Sequence, residues 1–373
     1  MPECPACGAA DEEVFYEQPG VPVQSVALLR TAEEALAFPR GDLQLAWCRT
    51  CGFVFNHAFD PSLQDYSRPS EESQAFSPRF RAFSRDLAAG LVERYDVRGK
   101  KVLEAGCGRG DFLVEICELG GSRGVGIDPG WEPGRLEYPP SVEFVRAPYD
   151  EEQAGRDADL VLCRHTLEHI ADVRRFVSLL RRPAEARDGI VVIEVPDVRR
   201  VLQEAAFWDV YYEHCSYFTA GSLAALVTRC GLGTLSVRLE FDGQYLVLEA
   251  RPGAATDGRG GDDVAAAVDH FATVAPRAIE RWRDLLGGRV ALWGGSSKAV
   301  AFLTAVGVDA AVVDINPYRQ GAFLPGVAQR VLAPEQLRAE PPDVVVAMNP
   351  AYLDEIRAAL DHLGLTPELT AVE

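Results

Sequence analysis

Residues 101–128, KVLEAGCGRGDFLVEICELGGSRGVGID, decide the fold of this 373-residue chain. The apolar run that ends at Ala105 predicts a buried strand, and the glycine-rich turn behind it leads into the helical stretch DFLVEICELG. A second apolar run, GVGI, ends at Asp128. This order of strand, glycine turn, helix and strand predicts a parallel βαβ unit whose turn lets a ligand lie against bare backbone.

The same alternation continues on both sides of this unit. The runs DLVLC and IVVIEVP predict two more parallel strands, LGTLSVRLEFDGQYLVLEARP predicts a closing hairpin, and residues 75–95 have the apolar spacing of an amphipathic helix. We interpret PGAATDGRGGDD (252–263) as a linker. A long helix and a second alternation (RVALWGG, DAAVVDINP, DVVVAMNP) follow it. We expect an α/β fold with a doubly wound core at 67–252, a small module at 1–66 and a C-terminal α/β domain at 253–373.

Four of the nine cysteines form two C-x-x-C-G motifs, CPACG at 4–8 and CRTCG at 48–52. The glycine in each motif permits a tight turn that points backbone amides at the sulfurs. Four thiolates suit a tetrahedral structural zinc ion and leave no open position for catalysis. Two unrelated pairs of free thiols, or a redox dithiol, are the alternatives. The predicted zinc ligands are Cys4, Cys7, Cys48 and Cys51.

The composition limits the class of partner. The formal net charge is −19, and so acidic a surface repels the phosphate backbone of nucleic acids. The sequence has no run of eighteen apolar residues, which predicts no membrane span, and MPECPACG does not resemble a secretory leader. We therefore expect a cytoplasmic protein whose partner is a small molecule, and the oligomeric state is left open.

The glycine turn indicates the charge of its ligand. The pattern E-x-G-x-G-x-G at 104–110 lacks the spacing of the dinucleotide motif G-x-G-x-x-G, and it begins with the carboxylate of Glu104. That carboxylate suits a ligand with positive ammonium and sulfonium groups better than one with two phosphates. Asp128, at the tip of the second strand, can accept the two hydroxyls of a ribose. A domain that binds NAD is the alternative.

A second candidate site lies in the C-terminal domain. The sequence ALWGGSSK (291–298) predicts a strand, a glycine-serine turn and a helix, and amides and side chains that converge at a helix N-terminus form an anion site. The diphosphate of a nucleotide sugar fits such a site, and Asp314 at the next strand tip could hold its ribose. The alternative is a degenerate half-domain kept for packing. The predicted substrate ligands here are Ser296, Ser297, Lys298 and Asp314.

Taken together, the motifs resemble those of a known enzyme family. VLEAGCGRGDF, GIDP and LCRHTLEHI are similar to the successive motifs of class I S-adenosylmethionine-dependent methyltransferases, which have a Rossmann-like core. With the paired C-x-x-C motifs, WDVYYEHCSYFT, GGSSK and D-x-N-P-x-x-Q-G, the chain resembles sugar C-methyltransferases of deoxysugar and polysaccharide pathways nearly from end to end. The resemblance implies S-adenosylmethionine as cofactor, bound by Glu104, Gly106, Gly108, Asp128 and His165, with Tyr149 or Asp150 near the adenine.

The resemblance also implies catalytic residues. C-methylation requires a base that removes a proton from carbon next to a ketone, and histidine titrates near neutrality. In Tyr211-Tyr-Glu213-His214 the resemblance makes His214 the general base, with Glu213 and Tyr211 as its partners and His169 as a second polar group. Tyr66 is the one tyrosine kept in the substrate loop after the cysteine motifs. The alternative is that Glu-His caps a helix and the tyrosines fill the core.

We therefore expect a methyltransferase that acts in the cleft between its core and its C-terminal domain, with no catalytic metal. Two other functions stay open. The same His214 could deprotonate a hydroxyl in an O- or N-methyltransferase that acts on a sugar or natural-product scaffold. The chain could also be a cofactor-binding assembly protein without activity. The family's His-Gly-Gly element is replaced here by FDGQ (241–244), which bears on the identity of the sugar.

Overall fold

The computed structural model describes residues 3–66, 68–134, 136–253 and 262–373. The predicted linker at 252–263 therefore lies largely outside the described residues. Three β-sheets with helices around them make up the fold. Within the described residues, no helix combines the length and the apolar character needed to cross a lipid bilayer.

The N-terminal unit is a small antiparallel sheet that also takes a strand from the core. Its strands are joined in the order β1-β2-β3-β9, and Val54 pairs with Tyr217 across the last two. The unit thus shares backbone hydrogen bonds with the segment that carries His214. Its elements are β1 (Glu12–Pro22), α1 (Ala32–Leu36), β2 (Arg40–Cys48), β3 (Val54–Asn56) and β9 (Ser216–Tyr217).

The core is a seven-stranded sheet in the order β10-β11-β8-β7-β4-β5-β6. Strands β4 to β8 are parallel, and the hairpin β10–β11 closes one edge in antiparallel pairing with β8. The predicted doubly wound sheet and its closing hairpin are confirmed. The strands are β4 (Lys101–Ala105), β5 (Arg123–Ile127), β6 (Val142–Val145), β7 (Leu160–Arg164), β8 (Ile190–Pro196), β10 (Leu232–Glu240) and β11 (Tyr245–Pro252).

Helices cover the core sheet. The predicted amphipathic helix is α2, which Ser77 caps at its N-terminus and which buries Phe80, Leu87 and Leu91. Helix α3 follows the glycine turn as predicted and is buried along most of its length because it packs under β4 and β5. The helices are α2 (Pro78–Tyr95), α3 (Asp111–Gly120), α4 (Val173–Glu185), α5 (Val198–Gln203) and α6 (Ala220–Arg229).

The C-terminal domain is a smaller parallel sheet in the order β14-β13-β12-β15-β16. Its alternation of strands and helices matches the one expected from the sequence. Its elements are α7 (Ala265–Leu285), β12 (Val290–Trp293), α8 (Ser297–Val306), β13 (Ala311–Val313), β14 (Val331–Leu332), β15 (Val344–Ala347), α9 (Leu353–Leu363) and β16 (Glu368–Ala371).

One hydrophobic core joins all three units. Phe207, which follows α5, stacks on Phe302 of α8 with ring centroids 5.8 Å apart. Tyr16 of β1 meets Phe271 of α7 edge to face at 5.1 Å. All four side chains are buried, and each aromatic ring of this kind removes a large apolar surface from water. Buried residues of the N-terminal unit, of the segment 198–217 and of the C-terminal domain thus belong to one apolar cluster.

Candidate active site

Two positions of the glycine turn between β4 and α3 accept only a residue without a side chain. Gly106 and Gly110 have φ angles of +72° and +89°, a region that side chains rarely allow. A Cβ at Gly106 would lie 2.1 Å from Thr166 Oγ1, and one at Gly110 would lie 2.3 Å from the ring of Phe144. The turn therefore exposes backbone, and Gly110 leaves the first turn of α3 without a side-chain cap.

Asp128 closes the other side of this turn. One carboxylate oxygen accepts the amide of Gly108 at 3.0 Å, and the other accepts the amide of Gly130 at 2.7 Å. Burial raises the pKa of this carboxyl group. A carboxylate has about four acceptor positions, so two remain for the hydroxyls of a ligand. The geometry suits the ribose role that the sequence predicts.

Glu104 lies in β4 beneath the turn, and its side chain is buried. Its Oε2 atom has no hydrogen-bond partner among the described residues. Burial raises the pKa of Glu104 to about 8, so the side chain is mostly neutral at pH 7 in the empty site. A cationic ligand nearby would favour the ionised form. The side chain is thus suited to a ligand that carries positive charge.

Of the two residues expected near the adenine, Tyr149 lines the cavity described below. Its hydroxyl donates to the backbone oxygen of Leu179 at 3.3 Å. Asp150 instead accepts the amides of Glu152 and Gln153, which caps the short turn that follows. Tyr149 is therefore the better placed of the two for a ligand contact.

His165 sits in a buried group of charges under the turn. Its Nε2 lies 3.0 Å from Glu194, and its Nδ1 lies 3.7 Å from Glu168. Although burial opposes the charge, Glu194 and Glu168 raise the pKa of His165 to about 9. Arg164 pairs with the same Glu194 at 2.6 Å. His165 is thus a cation bound mainly to protein carboxylates.

A single cavity of about 1260 Å³ extends from the glycine turn to the C-terminal domain. Residues of all three units line it. Apart from Asp150, every residue that the sequence predicts for catalysis, cofactor binding or substrate binding contributes to its wall. Tyr66 is 39% exposed and lies at the wall of this cavity, with its ring 6.2 Å from that of His169. The fold therefore brings together the residues that the sequence singled out.

His169 and His214 meet in the middle of the cavity. Their rings are perpendicular with centroids 4.8 Å apart, and the ring of Tyr211 lies 4.7 Å from that of His214. Burial and the neighbouring His169 lower the pKa of His214 to about 3, so its imidazole is neutral at physiological pH. The imidazole is therefore in the form that can accept a proton, but its low pKa makes it a weaker base than the near-neutral histidine expected from the sequence, so the proton needs a neighbouring negative charge.

The carboxylate beside these histidines is Glu168, which the sequence analysis did not select. One ligand atom from each of Glu168, His169 and His214 lies within 4.8 Å of the others. Burial raises the pKa of Glu168, but His165 and the two other histidines outweigh burial and hold it below its usual range. An ionised Glu168 therefore stabilises a proton on either histidine of the pair.

Glu213 also lines the cavity, but it is hydrogen-bonded to the N-terminal unit. Its Oε1 accepts the backbone amide of Ser25 at 2.9 Å and also the Ser25 hydroxyl. The sequence analysis made Glu213 the orienting partner of His214, and the observed hydrogen bonds do not support that pairing. Glu168 takes the place beside His214.

Tyr211 is bound to an ionic group that joins the core to the C-terminal domain. Its hydroxyl donates to Asp209 at 2.7 Å, and Lys298 reaches the same carboxylate at 2.7 Å. Arg200 also pairs with Asp209. Although Asp209 is buried, Lys298 and Arg200 hold its pKa below its usual range. Lys298 thus lines the cavity, but its ammonium group is paired with a carboxylate.

The C-terminal glycine turn has an aspartate of its own. Asp314 accepts the amides of Gly295 and Asn316, each at 2.8 Å. Ser296 begins α8 without a side-chain cap, which leaves the amides of the first turn available. Arg319 donates to the backbone oxygen of Gly295 at 3.0 Å. This edge is organised to receive polar groups of a ligand.

The four cysteines of the C-x-x-C motifs lie together in the N-terminal unit. Cys4 and Cys51 have their sulfurs 3.7 Å apart, and Cys7 and Cys48 have theirs 3.6 Å apart. Four sulfurs at about 2.3 Å from one zinc ion, in a tetrahedron, lie about 3.8 Å from each other. All four sulfurs lie within 4.8 Å of one another. The donor set and its spacing fit zinc.

Comparisons with known proteins agree with this arrangement. Residues 77–237 match a family model described as a methyltransferase domain, and residues 267–365 match one described as a C-methyltransferase C-terminal domain. The chain is an S-adenosylmethionine-dependent methyltransferase with the class I, Rossmann-like fold. It is 28% identical to the C-methyltransferase NovU of Streptomyces niveus, over 95% of this chain and 91% of that protein.

Two further similarities cover at most half of the chain. The ubiquinone biosynthesis O-methyltransferase of Pseudomonas syringae pv. tomato is 38% identical over 100 residues, which are 25% of this chain and 43% of that enzyme. The crystal structure of magnesium protoporphyrin IX methyltransferase from Synechocystis PCC 6803 covers 50% of this chain and 91% of its own, with 16% identity and a TM-score of 0.38.

Proposed function

We propose that this enzyme transfers the methyl group of S-adenosylmethionine to a carbon next to the keto group of a nucleotide-linked sugar. The observation that carries the proposal is the single cavity that joins the edge at Asp128 to the edge at Asp314. A cofactor at the first edge and a nucleotide at the second would place the sugar between them, beside His169 and His214. The glycine turns and aspartates at both edges support this arrangement.

Two comparisons favour carbon as the acceptor. The family model that residues 267–365 match is described as a C-methyltransferase C-terminal domain. NovU, a relative that matches nearly the whole chain, is also named as a C-methyltransferase. The O-methyltransferase from Pseudomonas matches only 25% of this chain. We expect the cavity and the domains on either side of it to determine which acceptor atom is methylated.

In this mechanism His214 is the general base. Its neutral imidazole takes the proton from the carbon next to the ketone, which leaves an enolate whose carbon is the nucleophile. The negative charge of Glu168 stabilises the imidazolium that forms. Bound at the glycine turn, S-adenosylmethionine supplies a methyl group that bonds to this carbon as the sulfur–methyl bond breaks. Tyr66 lines the cavity where the enolate oxygen would need a hydrogen bond, whereas the hydroxyl of Tyr211 already donates to Asp209.

The N-terminal unit would bind one structural zinc ion through Cys4, Cys7, Cys48 and Cys51. The ion would fix the turn that starts β3, and β3 pairs with the strand that follows His214. Its role would be to hold that strand in place. In this proposal the zinc ion takes no part in the proton transfer, which protein side chains carry out.

The experiment uses S-adenosylmethionine labelled with ¹³C in its methyl group and a panel of thymidine- and uridine-diphosphate ketosugars. We expect a product whose labelled methyl has the chemical shift and couplings of a methyl group on carbon. A methyl on oxygen or nitrogen would instead establish the O- or N-methyltransferase alternative. If no acceptor in the panel is methylated while the cofactor binds, the proposed substrate class is wrong.

A second measurement separates deprotonation from methyl transfer. With S-adenosylhomocysteine in place of the methyl donor, the enzyme in D₂O should exchange the proton next to the ketone for deuterium. His214→Asn should abolish this exchange, because the group that removes the proton is lost. Methyl transfer to carbon without any such exchange would argue against a free enolate.

A further inference from the structure

Ser25 brings the N-terminal unit into the wall of the active site. It lies after β1, in a segment anchored by two isolated bridges, Ala27 to Ser70 and Leu29 to Phe323 of the C-terminal domain. The side chain is 3% exposed. Both its backbone amide and its hydroxyl donate to Oε1 of Glu213. One carboxylate oxygen is therefore held by two donors from a single residue.

The C-terminal domain continues this chain of hydrogen bonds. The hydroxyl oxygens of Ser25 and Ser297 lie 2.7 Å apart. A hydroxyl has one proton to donate, and that of Ser25 is directed to the carboxylate, so Ser297 is the donor between the two serines. Donation from Ser297 polarises the Ser25 hydroxyl and strengthens its bond to Glu213. A chain of hydrogen bonds thus runs from Ser297 of α8 through Ser25 of the N-terminal unit to the carboxylate of Glu213.

The other oxygen of Glu213 is left without a partner. Glu213 is 4% exposed and lines the cavity, and its Oε2 forms no hydrogen bond among the described residues. Burial raises the pKa of this carboxyl, whereas the Ser25 bonds and the charge of His169 oppose the rise. The charge of Glu213 in turn helps to raise the pKa of the phenols of Tyr66, Tyr211 and Tyr217.

We propose that Ser25, supported by Ser297, is a positioning residue for the proton transfer. It binds one oxygen of Glu213 and holds the carboxylate in the wall of the cavity that also contains His169 and His214. This inference rests on the proposed function, because it assigns the carboxylate a part in stabilising the imidazolium that forms there. A buried carboxylate held by two donors stays in place and keeps its charge as the proton moves. All three units of the chain are needed to build this arrangement.

The test is a titration of Glu213 in the full-length, zinc-loaded protein labelled with ¹³C at glutamate carboxyls. The Glu213 signal is identified by its absence in Glu213→Gln. In Ser25→Ala the midpoint should rise by about one pH unit, because a bond that favours the ionised form is lost. Ser25→Thr, which keeps a hydroxyl, should stay nearer to the wild type. Ser297→Ala should shift the midpoint in the same direction by less.

Kinetics with a thymidine-diphosphate ketosugar complete the test. Ser25→Ala should lower kcat about tenfold and leave the KM for S-adenosylmethionine unchanged, whereas Ser62→Ala, which changes an exposed serine of the same unit, should match the wild type.

An unchanged Glu213 midpoint in Ser25→Ala overturns the proposal, and so does a kcat equal to that of Ser62→Ala. If Ser25→Ala does not fold, the midpoint in Ser297→Ala decides. A wild-type enzyme that methylates no ketosugar would refute the proposed function, and the titration would still decide the positioning role.

Discussion

Asp128 and Asp314 occupy equivalent positions in two different parallel sheets. Each ends the second strand of a βα unit and accepts one amide from the glycine turn before it, from Gly108 at 3.0 Å and from Gly295 at 2.8 Å. Each also accepts the amide of the residue two positions further on, at 2.7 Å and 2.8 Å. The chain thus contains the same arrangement of an aspartate and a glycine turn twice, and both aspartates line one cavity.

This symmetry predicts a separation of binding functions. Asp128→Ala should weaken S-adenosylmethionine binding by about 1–3 kcal/mol, because hydrogen bonds between the carboxylate and the ribose are lost. Its effect on thymidine diphosphate should be small. Asp314→Ala should show the reverse pattern. Calorimetry of both variants with both ligands gives four values, and equal losses in all four would mean that the two sites are not distinct.

Glu104 predicts a pH dependence of cofactor binding. Its pKa of about 8 in the empty site means that it is protonated at pH 7, and a bound cation would favour its ionised form. Binding should therefore release close to one proton at pH 7. Affinity should rise with pH, by up to about tenfold per unit, and level off above pH 8.

Calorimetry in buffers of different ionisation enthalpy measures the number of protons released. Glu104→Gln serves as the control, since its side chain has the same shape and cannot ionise. In that variant the pH dependence should disappear. Proton release that persists in Glu104→Gln would assign the linkage to another group.

The zinc site predicts both composition and stability. Freshly purified protein should contain one zinc per chain, bound at about 2.3 Å by four sulfurs. Because metal binding is coupled to folding, Cys7→Ser or a strong chelator should lower the melting temperature. Cys117→Ser, which changes a buried cysteine outside the cluster, is the matched control for metal content. Less than about half a zinc per chain in fresh wild-type protein would contradict the assignment.

The ionic group at Asp209 predicts how firmly the C-terminal domain is attached. Asp209→Ala leaves Lys298 and Arg200 without their shared carboxylate, and removal of one partner from a buried pair costs about 3–5 kcal/mol. We expect a clear fall in the free energy of unfolding. Glu151→Ala breaks an exposed pair with Arg175 and should leave the free energy of unfolding nearly unchanged. Urea titrations of the two variants compare these effects, and equal losses would show that Asp209 is not part of a stabilising group.

The local features of this fold could be predicted from the sequence. The glycine turn, the aspartate at the next strand tip and the paired C-x-x-C motifs each lie within short stretches of chain. Hydrophobic periodicity fixed the strands and helices around them, because it records which face of each element is buried. The turns of both α/β units were found in the same way. Asp128 and Asp314 could therefore be assigned to their strand tips without any knowledge of the tertiary structure.

The partners of the functional side chains depend on contacts between distant segments. Glu213 precedes His214 in the sequence, yet it binds Ser25 of another unit, and Glu168 takes the place beside His214. Lys298 was expected to meet phosphate and instead contacts Asp209, 89 positions earlier in the chain. No periodicity encodes such pairs, because they arise only when loops of separate units pack together.

The identity of the base gives the most direct test of the mechanism. The pKa of about 3 keeps His214 neutral from pH 5 to pH 8. At saturating S-adenosylmethionine, ionisation of His214 should therefore cause no change in kcat/KM for the acceptor over this pH range. His214→Asn should keep the fold and cofactor binding and lower kcat by about 10²–10⁴-fold. Glu168→Gln should lower kcat by less, because it removes only the charge that stabilises the imidazolium.

If His169→Asn lowers kcat more than His214→Asn does, the two histidines exchange roles. If neither substitution slows the reaction, proton removal is not limiting, and a hydroxyl or amine acceptor becomes the better explanation of this site.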